Sequence, residues 1–299
     1  MPSLRTTFYA SIAFAALSLA GKTTTVSDWG DNPSKLPAVI VYTPDKIADN
    51  PAVVLALHPC GGSGSQYRSM VGLDKYADQL GFVVLYPTSN AQQGFNCWDC
   101  HSAKSLKHDG GGDSQGLAAM AKYALKTYHG DASKVFTIGG SSGAMESNVL
   151  AATYPDVFKG AVSYSGVPAA CWAGAPYSTP LSSDTTCPLG QKASKYTQQQ
   201  WVDLAKGCDP GFNGTYPKVM IVHGTADTAV TINNLKAQLD QWSGVKGLTF
   251  TKNETNNPTT NWKKIVYGDG TELVGYEVQG GGHIPAFQAD ATLKFLGLL

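Results

Sequence analysis

Residues 139–143 read Gly139-Gly140-Ser141-Ser142-Gly143, a G-x-S-x-G pentapeptide in a setting that leaves few folds open. An apolar run, Val135 to Ile138, leads into it, and a helix-like run, Ala144 to Tyr154, leads away. The pattern predicts a strand, a tight turn and a helix, with a serine at the tip. The glycines suit a strained turn whose backbone passes close to its neighbours. Such a turn lifts the Ser141 hydroxyl clear of a sheet, where a base can reach it.

The rest of the chain supplies that sheet. Short apolar runs, rich in β-branched or aromatic residues, recur at 38–43, 52–58, 82–86, 134–139, 160–165, 218–223, 263–267 and 273–279. They read as strands buried on both faces. Helical spacing lies between several of them. Leu117, Met120, Ala121, Ala124, Leu125 and Tyr128 fit one helix, with Asp113 or Ser114 as N-cap. Met70, Leu73, Ala77 and Leu80 fit another, with Gly81 as C-cap. A last helix is expected within 286–297. Strands alternating with helices predict an α/β fold of the α/β-hydrolase kind, one domain with a mainly parallel sheet of about eight strands flanked by helices. Two polar stretches, 88–114 and 167–215, break the rhythm and are expected to frame the mouth of a site.

The N-terminus reads as a secretory signal: Arg5, an apolar stretch from Phe8 to Ala20, and a small-x-small site at Ser18-Leu19-Ala20. The expected division is a signal peptide over 1–20 and a catalytic domain over 21–299. The protein should then be extracellular, with no membrane association after cleavage. In an oxidising compartment Cys60, Cys97, Cys100, Cys171, Cys187 and Cys208 suggest disulfides more than a metal site. Asn213 and Asn253 each begin a glycosylation sequon. Lys plus Arg equals Asp plus Glu at 22 each, and no basic stripe stands out, which argues against nucleic acid as a partner. A monomer acting on an uncharged substrate fits this balance.

A serine hydroxyl becomes a nucleophile when a base takes its proton, and the base is usually a histidine oriented by a carboxylate. In α/β-hydrolases the chain order is serine, acid, histidine. His283, in Gly280-Gly281-Gly282-His283-Ile284-Pro285, follows the last predicted strand, where the base belongs. His223 ends an apolar strand and reads as a packed residue. Asp227 leaves the same strand at its C-terminal end, where ligands gather in open parallel sheets. Asp209 and Asp240 are competitors that follow no strand. The oxyanion hole needs two N–H donors. Ser142 offers one. The tract His58-Pro59-Cys60-Gly61-Gly62 offers the other, and Cys60 is its first donor because Pro59 has no N–H. No metal or cofactor is required.

These tracts have a family likeness. Asp28-Trp29-Gly30-Asp31-Asn32-Pro33, His58-Pro59-Cys60-Gly61-Gly62, Cys97-Trp98-Asp99, Gly110-Gly111-Gly112-Asp113-Ser114, Gly139-Gly140-Ser141-Ser142-Gly143-Ala144-Met145, Asn148 to Pro155 and Tyr267-Gly268-Asp269-Gly270 stand in one order. With them the chain, from about Thr25 onward, resembles the fungal carbohydrate esterases of family 1, which include acetylxylan esterases and type B feruloyl esterases. The resemblance implies Ser141 as nucleophile, Asp227 as acid and His283 as base. It also implies disulfides Cys60–Cys97 and Cys171–Cys187, which would leave Cys100 and Cys208 to pair. Trp98 and Trp172 are candidates for substrate contact. The chain departs from the family in Gly140, in the extra Cys100 and Cys208, and in Glu146, which would set a carboxylate near the site. The expected function is a secreted serine esterase that removes feruloyl or acetyl groups from xylan. A polyester depolymerase and a non-catalytic protein on the same fold are the alternatives.

Overall fold

The structure, a computed structural model, describes residues 21–90 and 94–299, so the expected signal segment lies outside the described residues. All the apolar runs named above are strands: β2 (Val39–Thr43), β3 (Val53–Leu57), β4 (Val83–Tyr86), β5 (Val135–Gly140), β6 (Gly160–Tyr164), β7 (Lys218–Gly224), β9 (Trp262–Tyr267) and β10 (Leu273–Val278). Two further strands, β1 (Lys22–Val26) and β8 (Phe250–Thr255), complete a ten-stranded sheet in the order β1-β2-β4-β3-β5-β6-β7-β10-β9-β8. From β4 through β10 the neighbours pair in parallel; the outer pairings are antiparallel.

Helices cover both faces. On one lie α1 (Gly64–Val71), α2 (Asp74–Leu80) and α7 (Ala289–Leu296), which bury Tyr67, Ala77 and Leu293 in one core with Ile138 and Val222. On the other lie α3 (Asp113–Thr127), α4 (Ser142–Thr153), α5 (Gln198–Lys206) and α6 (Asn233–Lys246). The helix expected over 70–80 is two helices. Gly72 adopts a left-handed conformation (φ 56°), ends α1 and re-aims the chain into α2. Gly81 caps α2 as expected. Asp113 is the first residue of α3, and Gly112 precedes it as the cap. Among the described residues no helix is long and apolar enough to cross a membrane. Asn213 and Asn253 are both exposed.

The strand order puts β5 near the middle of the sheet, between β3 and β6. Its exit into α4 is tight enough that backbone meets backbone. A Cβ on Gly143 would collide with the Leu57 and His58 carbonyl oxygens at the end of β3. Gly143→Ala is therefore expected to lower unfolding free energy by about 3 kcal/mol or more in urea denaturation, since neither partner is a flexible side chain. An unchanged midpoint would contradict this packing.

Candidate active site

Ser141 sits between β5 and α4 at φ 52° and ψ −117°, a conformation that non-glycine residues rarely adopt. Its N–H donates to the Tyr164 carbonyl at 2.8 Å, and its own carbonyl accepts from the Met145 N–H at 2.9 Å. The serine is thus pinned from β6 and from the first turn of α4. Its hydroxyl points to His283 Nε2 at 2.9 Å. His283 Nδ1 lies 2.8 Å from Asp227 Oδ2. The carboxylate accepts the hydrogen bond of an Nδ1–H, which leaves Nε2 unprotonated and able to accept the Ser141 proton.

Asp227 is buried in the turn after β7. Its Oδ1 accepts the N–H groups of Ala229 at 3.0 Å and Val230 at 2.9 Å. Burial pushes its pKa up, but the bonds from His283 and from the Val230 N–H outweigh burial and hold it below the ordinary value. Asp227 is therefore ionised and aimed. His223 lies 3.6 Å from Asp227 Oδ2 but donates to the Val230 carbonyl at 2.7 Å, and burial lowers its pKa. It braces the Asp227 turn and does not reach Ser141. Asp209 faces His108 and Asp240 faces Lys236, so neither competitor joins the site.

Ser165 lies in no recognisable sequence motif. It follows β6 with φ 57°, accepts the Ile284 N–H at 3.0 Å and hydrogen-bonds Asp227. One hydroxyl thus ties the loop that carries His283 to Asp227. Its position at the C-terminal end of the strand next to β5 is the only clue the sequence offered.

Two N–H groups remain for an oxyanion. Ser142 begins α4, where the first N–H groups have no helical partner. In the loop after β3, Pro59 has no N–H, Gly61 donates to the Phe95 carbonyl and Gly62 donates to the Pro59 carbonyl. Cys60 is the donor left. Cys60 is bridged to Cys97, and Trp98 follows immediately. The Trp98 backbone N–H donates to Ser142 Oγ at 2.8 Å, and its indole N–H donates to the His58 carbonyl at 2.9 Å. Trp98 thereby joins the two loops that carry the donors. It is fully buried, and Trp172 is 3 % exposed, so the substrate contact expected of both is corrected: each packs inside the protein.

The disulfides are Cys60–Cys97 and Cys171–Cys187. The expected pairing of Cys100 with Cys208 is absent, and both are free and buried. Cys100 Sγ faces Glu146 Oε2 at 3.4 Å and the Ser142 carbonyl at 3.8 Å, whereas Cys208 Sγ turns to the Leu204 carbonyl on α5. Pairing by elimination had no knowledge of these directions.

Residues 38–252 match the family described as Esterase PHB depolymerase. The chain belongs to that family. A feruloyl esterase B of Neurospora crassa is 42% identical over 286 residues, with 95% of this chain and 96% of that protein covered. An acetylxylan esterase A of Emericella nidulans is 37% identical over 283 residues, covering 93% and 90%. A solved acetyl xylan esterase from Aspergillus awamori superposes with a TM-score of 0.86 at 35% identity, covering 93% of this chain and all of that one.

Within this esterase PHB depolymerase frame, Glu146 is unusual in its surroundings. It lies on α4, fully buried, with Oε1 unpartnered among the described residues and Oε2 against the Cys100 thiol. Burial, then the nearby Asp113 and Asp99, hold its carboxyl well above the ordinary value of 4.5. Asp113 is pushed up to about 6, chiefly by burial, against a hydrogen bond from the Asp99 N–H. Asp99 goes the other way, to about 2, because bonds from His101 and Ser102 outweigh its burial. Glu146 is thus held as a neutral acid. A carboxyl whose folded pKa exceeds its unfolded one costs nothing below the unfolded value, and the cost grows as pH rises toward the folded value. Glu146→Gln should therefore match the wild type near pH 4 and gain stability over it as pH rises, by up to about 1.4 kcal/mol per pH unit. Thermal melts across pH would contradict this if the difference between variant and wild type stayed constant.

Proposed function

We propose that this protein is a secreted serine esterase that removes acyl groups from xylan, with Ser141, His283 and Asp227 as its catalytic residues. The observation that carries the reading is the unbroken hydrogen-bonded chain from Asp227 through His283 to Ser141. The feruloyl and acetylxylan esterases to which the chain is similar support the substrate class. The two disulfides are consistent with an extracellular setting.

His283 takes the Ser141 proton at Nε2 as Oγ attacks the ester carbonyl. The oxyanion is stabilised by the N–H groups of Ser142 and Cys60. The proton on Nε2 then passes to the departing sugar oxygen, and the acyl group stays on Ser141. Water attacks the acyl carbon in its turn and gives a proton to Nε2. The bond to Oγ breaks, the proton passes from Nε2 to Oγ, and the free acid leaves with Ser141 and neutral His283 restored. Asp227 remains ionised throughout and stabilises the imidazolium.

One observation favours an aromatic acyl group. Phe95, whose carbonyl accepts the Gly61 N–H beside the oxyanion donor, exposes 55% of its surface. Leu181, 63% exposed, packs close to the adjacent Gly94. Two large apolar side chains left in water at one turn mark a contact surface. A feruloyl ring would use it; an acetyl group would not reach.

The test is product release from arabinoxylan bearing both esters. Ferulate is expected to dominate, and Ser141→Ala is expected to lower kcat by at least about 10³-fold without unfolding the protein. A Ser141→Ala variant with near-normal turnover would overturn the assignment. Phe95→Ala should slow ferulate release by roughly tenfold, the worth of losing one well-packed ring contact, and leave acetate release little changed. Equal losses on both products would argue against an aromatic subsite there.

A further inference from the structure

A cleft of about 1020 Å³ opens between α1, α2, α7 and the neighbouring face of β9 and β10, and it contains neither Ser141 nor His283. Its walls carry Lys75, Lys218, Lys264 and Lys294, against a single carboxylate, Asp290. The whole chain balances its charges, so this concentration is local. Among the described residues none of these four lysines has a carboxylate within 4.0 Å, and Lys218 Nζ instead donates to the Phe295 carbonyl at 3.3 Å. Lys264 lies near Glu254, but that carboxylate is closed on Lys252 at 2.7 Å. Asp290 accepts the Tyr76 hydroxyl at 3.1 Å. Lys75 sits over the Tyr76 ring at 4.8 Å, and Lys218 sits 5.8 Å from the centre of the Phe295 ring.

The cleft also runs into the catalytic loop. Phe287, on its wall, packs against Tyr164 at 5.5 Å, and the N–H of Gln288, also on the wall, donates to the Tyr164 hydroxyl. Both residues lie on the segment that joins His283 to α7.

We propose that this cleft binds a carboxylate-bearing glycan, and that it holds an anionic stretch of polysaccharide while Ser141 acts on an ester of the same polymer. The proposal rests on the reading of the protein as a polysaccharide esterase. Aromatic rings such as Phe287 offer flat apolar faces to sugar C–H groups, and the ammonium groups of Lys75, Lys264 and Lys294 supply the counter-charge. Each exposed contact is weak alone, but a polymer engages several at once, and the binding must fade as salt rises.

The test is native gel electrophoresis of the intact protein with polygalacturonate in the gel. Three proteins are compared: wild type, the triple variant Lys75→Gln, Lys264→Gln, Lys294→Gln, and a control triple at exposed positions elsewhere, Lys46→Gln, Lys104→Gln, Lys126→Gln. Wild type and control should be retarded at low salt. The cleft triple should bind at least about tenfold more weakly, and all retardation should vanish near 1 M salt, where the screening length is about 3 Å. All three should hydrolyse a small soluble ester equally. Loss of small-ester hydrolysis by wild type would count against the esterase reading and not against the cleft. Wild-type mobility unaffected by polygalacturonate, or equal loss in both triples, would overturn the cleft. Equal retardation by polyglutamate would overturn its assignment to a glycan.

Discussion

The backbone of Ser141 is held where a side-chain-bearing residue does not go freely, at a cost of about 1–3 kcal/mol. The surrounding structure meets that cost. The Ser141 N–H is taken by β6, its carbonyl by α4, and the α4 backbone is pressed onto the end of β3 through Gly143. In exchange the hydroxyl stands at the C-terminal edge of the sheet. Parallel strands all deliver their ends to that edge, so β7 and β10 bring Asp227 and His283 to the same place without any long-range device.

The site handles two buried carboxylates in opposite ways. Asp227 accepts two backbone N–H groups and the imidazole, and stays charged. Glu146 has a thiol and an unpartnered oxygen, and stays neutral. Environment decides the protonation state, as in other enzymes that run acid and base chemistry from similar groups. Were Glu146 charged, its field would oppose the oxyanion proposed to form beside Ser142. Trp98 completes the arrangement, because one residue bonds to both donor loops.

Much of this was legible in the sequence. The central strands are buried on both faces, so they read as continuous apolar runs. β1, Lys22-Thr23-Thr24-Thr25-Val26, and β8, Phe250-Thr251-Lys252-Asn253-Glu254-Thr255, close the two edges of the sheet, face water and carry polar residues. No hydrophobic period betrays them. The helical spacing of Met70 to Leu80 was real, but periodicity does not register the turn at Gly72 that divides it. Ser141, Asp227 and His283 could be found because each follows a strand. Ser165 also follows a strand, β6, but lies in no motif, and Trp98 follows no strand. Their roles are hydrogen bonds between segments far apart in the chain, and residue type alone put Trp98 on the substrate side when it is packed inside.

The hydrogen-bonded chain from Asp227 through His283 is proposed to activate one serine. Mass spectrometry after brief exposure to a fluorophosphonate tests it most directly, since an unactivated hydroxyl does not react. A single adduct is expected on the peptide containing Ser141, formed far more slowly in Asp227→Asn. No adduct on folded protein, or an adduct on another serine, would contradict it.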